Sequence, residues 1–265
     1  MKTVQHFLYL DLIRGIAALS VLIYHLEESI QDRHFFSGSF LAVDLFFLMS
    51  GFVLTRAYEA RLRSGAMSFK RFVGVRLLRL YPLYFTAIAI GIGYYVFKIA
   101  FVPVEPGLMS DLAKAVPAAL LVLPSPAATH AFQGAYPFAA SAWSLSLELW
   151  FNLIYGVLIF RLSTRSIGVI AALAGCLTIF FALREGSFDM GWGWSTMYGG
   201  IARFWFSFSL GILIYRQAKM PPYASVLAAI LAPIGLAYVT IGHANLWLQG
   251  IYIFGIFPLV VMTYA

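Results

Sequence analysis

Three ionisable residues stand where a lipid-crossing helix should have none. The run Phe7–Leu26 is long and apolar enough to span a bilayer, yet it carries Asp11, Arg14 and His25. At 100° per residue, Arg14 and His25 fall about 20° apart on one helix face, and Asp11 lies about 60° from Arg14. Arg14 to His25 covers about 16 Å of axis, roughly half the hydrocarbon thickness. Charged groups at that depth usually face a bundle interior or a wet cavity, so the stripe predicts a lined channel. Two chemistries suit it. An imidazole titrates near neutral pH and can take a proton from a hydroxyl, and an arginine can hold an anion. The plainer alternative is an Asp11–Arg14 pair near the membrane surface with His25 snorkelling at the other end.

Four further clusters could carry chemistry. Asp44 lies inside the apolar run Ala42–Leu54, where it could orient His25, bind an acceptor, or pair with another buried polar group. Ser50-Gly51 in the same run is a small pair that admits a neighbouring helix. Arg76 and Arg79 are one helical turn apart, with Lys70 and Arg71 before them and Tyr81-Pro82 after. This run reads first as an anchor to anionic lipid; the alternative is a phosphate clamp. In Trp143-Ser-Leu-Ser-Leu-Glu148, Ser144 shares a face with Glu148, and Trp143 and Trp150 suit an interfacial belt. Glu148 would sit toward the outer end of its span, at a depth like that of His25. Arg203 could be its counter-ion or a snorkelling residue. A Ser-His-acid triad from Ser144 or Ser146, His25 and Glu148 or Asp44 can be drawn, without a Gly-x-Ser-x-Gly turn to support it. His6, His34, His130 and His243 show no metal-ligand spacing, so no metal is expected. No phosphate-binding glycine loop occurs either.

The elements that must position these residues are membrane helices. Of 265 residues, 62% are hydrophobic and only 11% charged, far below the charge of a soluble domain. The fold class expected is all-α and polytopic, a single membrane-embedded domain over residues 1–265. Apolar runs of spanning length are 7–27, 38–57, 81–102, 143–161, 166–183, 201–215, 223–241 and 246–264, about eight transmembrane helices. The shorter run 112–123 contains Pro117 and suits a re-entrant or interfacial helix. The loop 56–80 holds Arg56, Arg61, Arg63, Lys70, Arg71, Arg76 and Arg79 against Glu59, which places it and the N-terminus in the cytoplasm. Arg161/Arg165 and Arg216/Lys219 then also lie inside, if 103–142 stays outside. Arg14 falls in the inner half of the membrane and His25 toward the outer half. The net charge of +7 is therefore a topology signal, with no nucleic-acid partner implied. The single cysteine, Cys176, excludes an intrachain disulfide, and Asp11 and Arg14 argue against a secretory signal peptide at the N-terminus.

Taken together, these motifs resemble the acyltransferase 3 family of integral membrane acyltransferases. The likeness rests on Leu10–Leu19 with Arg14 and His25 eleven residues apart, on Val43–Phe52, on Arg76-Leu-Leu-Arg-Leu-Tyr-Pro82, and on Trp143–Glu148. Leu149 stands where many members carry a second Glu. Members usually have about ten spans, and this chain stops inside an apolar run at Tyr264-Ala265, which raises the expectation of a domain truncated at its C-terminus. The resemblance implies transfer of an acyl group, commonly acetyl, from cytoplasmic acyl-CoA to a hydroxyl on a carbohydrate or lipid-linked glycan. It implies no permanently bound cofactor, with acetyl-CoA as donor substrate, and a place in a bacterial cytoplasmic (inner) membrane. Arg76 and Arg79 would hold the CoA phosphates and Arg14 would line the donor channel. His25 would act as base or brief acyl carrier, and Glu148, Asp44, Asp11, Ser144 or Arg203 would orient it or the acceptor. A transporter or flippase, which also needs intramembrane charges, and a non-catalytic truncated paralogue remain as alternatives.

Overall fold

The computed structural model describes residues 8–30, 36–104, 106–126, 134–217 and 245–262. The expected span 223–241 lies outside them. So do His6, Asp32, His34, Glu105, His130, Lys219, His243 and the end at Tyr264-Ala265. Among the described residues there are helices and no strands. They are α1 (Leu8–Ile30), α2 (Ala42–Leu54), α3 (Ala60–Arg63), α4 (Phe69–Phe101), α5 (Leu108–Leu120), α6 (Ala142–Leu158), α7 (Thr164–Glu185), α8 (Met197–Gln217), α9 (Leu246–Ile251) and α10 (Phe257–Met262). Among the described residues, four helical stretches are long and apolar enough to cross a membrane: Ser39–Arg63, Phe69–Phe101, Thr164–Glu185 and Trp194–Gln217. Two of them, α4 and α7, turn large apolar side chains outward; Leu78 and Leu83 are each 78% exposed on α4, and Leu173 and Phe180 face outward on α7. Such surfaces suit lipid and would be an aggregation hazard in water.

Several boundaries move from the sequence expectation. A π-helical turn, Thr55–Glu59, carries the α2 helix on into α3, so helix extends six residues past 57. The basic segment 56–80 is mostly helix, broken only around Gly65, whose φ of 73° suits a residue without Cβ. Ser68 then caps α4 by accepting from the Arg71 amide, and α4 runs 33 residues, beginning twelve before the apolar run at 81. Pro82 sits inside this helix, where its ring leaves the Leu78 carbonyl without a helical partner. The short run expected at 112–123 is the helix α5, whose 13 residues measure about 20 Å.

The chain divides into two compact units: Met1–Ala57, Leu162–Asp189 and Ala202–Ala265 form one, and Tyr58–Arg161 with Met190–Ile201 forms the other. In the first, α2 and α8 touch through backbone. A Cβ on Gly51 would drive into the Phe208 carbonyl, and one on Gly211 into the Leu48 carbonyl. Small residues of this kind let helices approach closely where no hydrophobic effect drives them together. Here α10 packs on α2, and α9 on α7.

In the second unit α4 and α6 run antiparallel, with Phe72 against Gly156 near one end and Gly91 against the Phe138 backbone near the other. The α5 C-terminus is tied to both. Tyr84 and Tyr81 hydroxyls donate to the Ala119 and Leu120 carbonyls at 2.7 and 3.0 Å. The Val122 carbonyl accepts from Ser146 Oγ at 2.6 Å and Trp150 Nε1 at 3.1 Å. The Leu120 and Val122 carbonyls at this helix end gain side-chain donors in this way, while the Ala119 carbonyl also accepts from the Val122 amide at 2.9 Å; Val122 itself has a φ of 57°, an outlier for a β-branched residue. Trp143 is buried against Gly191 and Gly200. The expected interfacial belt therefore fails for Trp143: two glycines without side chains make room for its indole inside the unit.

Candidate functional site: a polar face on α6

Residues four and seven apart return to one face of a helix, and α6 carries Glu148, Asn152 and Tyr155 at that spacing. All three face the unit's interior. Glu148 Oε1 accepts from Arg76 Nη2 at 3.0 Å. Tyr155 is 1% exposed and donates to Glu59 Oε2 at 3.1 Å, while Glu59 Oε1 accepts from Arg63 Nε at 2.8 Å. Asn152 lies between these two ion-pair clusters, fully buried. Its neighbours on α4 follow from the antiparallel packing: Arg76 lies one turn to one side, and Phe72, against Gly156, one turn to the other.

The Arg76–Glu148 contact corrects the expected depths. The sequence suggested Arg76 at the cytoplasmic mouth and Glu148 toward the outer side of the membrane. They share one level, because α4 starts at Phe69 and carries Arg76 two turns, about 10 Å, into the helix. Glu148 in turn lies about 9 Å into α6, itself only about 25 Å long. The expected clamp of two equivalent arginines also divides. Arg76 is 2% exposed and bound by Glu148; Arg79, one turn on, is exposed. The Arg76 pair is incomplete, since its buried Nε has no hydrogen-bond partner among the described residues. Ser146 is committed to the Val122 carbonyl, and Ser144 Oγ donates to the Ser141 carbonyl at 3.1 Å within its own helix. Neither serine has the setting of an activated nucleophile, and the triad drawn from sequence gains nothing here. In the preceding loop, burial pushes the Tyr136 hydroxyl above its ordinary pKa, partly offset by a hydrogen bond with Ser146, so it stays a neutral phenol.

The remaining sequence-predicted residues belong to the first unit. Arg203 and Asp44 form a closed pair. Arg203 Nε and Nη2 donate to the two Asp44 oxygens at 3.2 and 2.5 Å, and Nη2 also reaches the Phe40 carbonyl at 3.3 Å. Ser207 Oγ lies 3.5 Å from Asp44 Oδ1. Arg203 is 0% exposed, which rules out snorkelling; its carboxylate is Asp44, at the start of α2. On α1, Arg14 Nη1 meets Asp11 Oδ1 at 3.5 Å, a partly exposed local pair. The buried face of α1 is Leu10, Ile13, Ala17 and Ser20, roughly a third of a turn from the Asp11–Arg14–His25 stripe. His25 is half-buried and packs its ring against Tyr24 at 5.2 Å. Among the described residues no three His, Cys, Asp or Glu side chains gather as a metal site. Sequence reasoning missed Asn152, Tyr155 and Glu59; the spacing of the first two from Glu148 was the available signal.

A chain whose described residues are helical, with apolar helices of spanning length and buried ion pairs among them, is an integral membrane protein. The chain belongs to the acyltransferase 3 family, whose acyltransferase domain matches residues 7–265. It is 38% identical over 161 residues to "Protein 2 in picA locus" of Rhizobium radiobacter, covering 57% of this chain and 81% of that protein. It is 30% identical over 181 residues to acyltransferase MdmB of Streptomyces mycarofaciens, covering 61% of this chain and 43% of that one. It is also 35% identical over 85 residues to a Staphylococcus aureus protein named as an O-acetyltransferase, covering 31% of this chain and 13% of that protein. The chain thus spans less than half the length of the latter two. No solved structure matches it.

Proposed function

We propose that this protein moves an acyl group, acetyl in the first instance, from cytoplasmic acyl-CoA to a hydroxyl of a cell-surface carbohydrate. The observation that carries this reading is the match to the acyltransferase domain over residues 7–265, which takes in Arg14, His25, Arg76, Arg79 and Glu148. Names of relatives as acyltransferase and O-acetyltransferase agree with it. In this reading His25 takes the proton of the acceptor hydroxyl as that oxygen attacks the thioester carbonyl. The carbon–sulfur bond breaks and CoA leaves as its thiol, with the proton returned to sulfur. Arg79 and Arg76 attract the phosphates of CoA, Arg14 lines the donor's path, and Glu148 sets the orientation of Arg76. The N-terminus lies in the cytoplasm, as the basic segment around Arg61, Arg63, Lys70 and Arg71 favours. The test is turnover of radiolabelled acetyl-CoA by detergent-purified protein, with mass spectrometry of surface glycans from cells with and without the gene. Acetyl-sized mass differences that vanish with the gene support the reading. Replacing His25 by Ala should lower turnover by about 10²–10⁴-fold, the usual loss for a general base, while the protein still folds. A folded His25→Ala protein with full turnover would overturn the catalytic role of His25.

A further inference from the structure

A fully buried side-chain amide without partners is costly, and Asn152 is one. Among the described residues neither its Nδ2 nor its Oδ1 has a hydrogen-bond partner, and its exposure is 0%. Buried polar groups are nearly always paired, because an unpaired one forfeits the hydrogen bonds it made to water. A second orphan lies on the facing helix. Arg76 Nε, 2% exposed as a residue, also lacks a partner, although the same guanidinium donates to Glu148. Asn152 follows Glu148 by one turn on the face that meets α4. The polar residues to either side of it on that face are engaged, Glu148 by Arg76 and Tyr155 by Glu59. The Asn152 amide on α6 and Arg76 Nε on α4, the helix packed against it, thus leave two donor atoms and one acceptor without partners among the described residues.

We infer that Asn152 and the Arg76 Nε edge contact a substrate of the proposed transferase through a neutral group that both donates and accepts a hydrogen bond. This rests on the acyltransferase reading. The chemistry follows from the inventory: Oδ1 needs a donor, while Nδ2 and Nε need an acceptor. A carboxylate or phosphate would leave Oδ1 unsatisfied, and a thioether or alkyl chain would satisfy none of the three. The amides of a pantetheine arm have the required pattern, and so does the hydroxyl of an acyl acceptor.

Asn152→Leu is the informative variant. Leucine has nearly the same shape and removes the orphan amide, so it should leave thermal stability unchanged or raise it. If Asn152 contacts substrate, the KM for that substrate rises about tenfold, the value of one lost hydrogen bond to a ligand. Asn152→Asp, which keeps the shape and the acceptor but loses the donor, serves as the second variant if leucine does not fold. Acetyl-CoA is titrated first, then glycan extracted from the host strain at saturating acetyl-CoA. A raised KM for acetyl-CoA assigns the contact to a pantetheine amide. A raised KM for the glycan alone assigns it to the acceptor hydroxyl. Folded variants with both values unmoved overturn the inference and leave Asn152 a structural residue, while the transferase reading stands. Wild-type protein without acetyl-CoA turnover overturns the transferase reading itself.

Discussion

Two buried arginine–carboxylate pairs among the described residues differ in how completely they are closed. Arg203 meets Asp44 through two nitrogens, adds the Phe40 carbonyl, and has Ser207 beside the same carboxylate. Both side chains are at most 1% exposed. Arg76 meets Glu148 through one nitrogen, has no partner for Nε among the described residues, and leaves the Glu148 side chain 22% exposed. Desolvating two charges costs several kcal/mol each, and only excellent geometry with extra hydrogen bonds offsets it. The Asp44 pair has that geometry and the Arg76 pair does not. A pair saturated by its own protein fixes the packing of α2 on α8. The Arg76 pair leaves one guanidinium nitrogen without a partner among the described residues, and the proposed substrate contact would use it.

The largest expected effect breaks the closed pair. Asp44→Ala strands the Arg203 guanidinium in an apolar interior, a loss of about 3–5 kcal/mol for a broken buried pair. Thermal unfolding in detergent should show it, together with a fall in folded yield. Replacing both residues by Leu should recover most of the loss, because two apolar side chains leave no charge uncompensated. An Asp44→Ala protein of wild-type stability that no longer transfers acyl groups would reverse the assignment and put this pair in the chemistry.

The open pair should respond the other way. Glu148→Gln keeps an acceptor for Arg76 Nη2 and removes the charge. Glu148 is partly exposed, so the stability loss should stay nearer the value of one charge-assisted hydrogen bond, about 1.5–3 kcal/mol. Acetyl-CoA turnover should fall by at least about tenfold at temperatures where the variant is folded. Equal unfolding losses for Asp44→Ala and Glu148→Gln, with no rate effect from the latter, would make the two pairs alike.

Helical class was legible because it follows from composition and run length, and the resemblance rested on short local motifs. Distance along the chain hid the rest. Asp44 and Arg203 are 159 residues apart, and spacing within one helix says nothing about which helix lies opposite. Gly51 did announce a close approach, but not that Phe208 would be the neighbour. The depth of Arg76 was misplaced because a hydropathy window opens at the first apolar residue, whereas the helix opens at its cap, Ser68. Asn152 escaped notice because it does not titrate; its meaning lies in lacking a hydrogen-bond partner among the described residues, which spacing along the chain does not reveal.

The smallest effect separates the two arginines of the motif. Arg79 is exposed and one turn from Arg76, so Arg79→Ala should shift stability by no more than about 0.5 kcal/mol. Its proposed work is electrostatic attraction of the donor's phosphates, which salt screens over about 10 Å at 0.1 M ionic strength. The wild-type KM for acetyl-CoA should therefore rise with added salt, and Arg79→Ala should start several-fold higher and rise less. Arg76→Ala differs in kind, since it uncovers the Glu148 carboxylate inside the unit and must lower stability along with affinity. If Arg79→Ala leaves both the KM and its salt dependence at wild-type values, Arg79 is an anchor to anionic lipid. Donor recognition would then fall to the buried side of the motif, where Arg76 and Asn152 face α6 and α4.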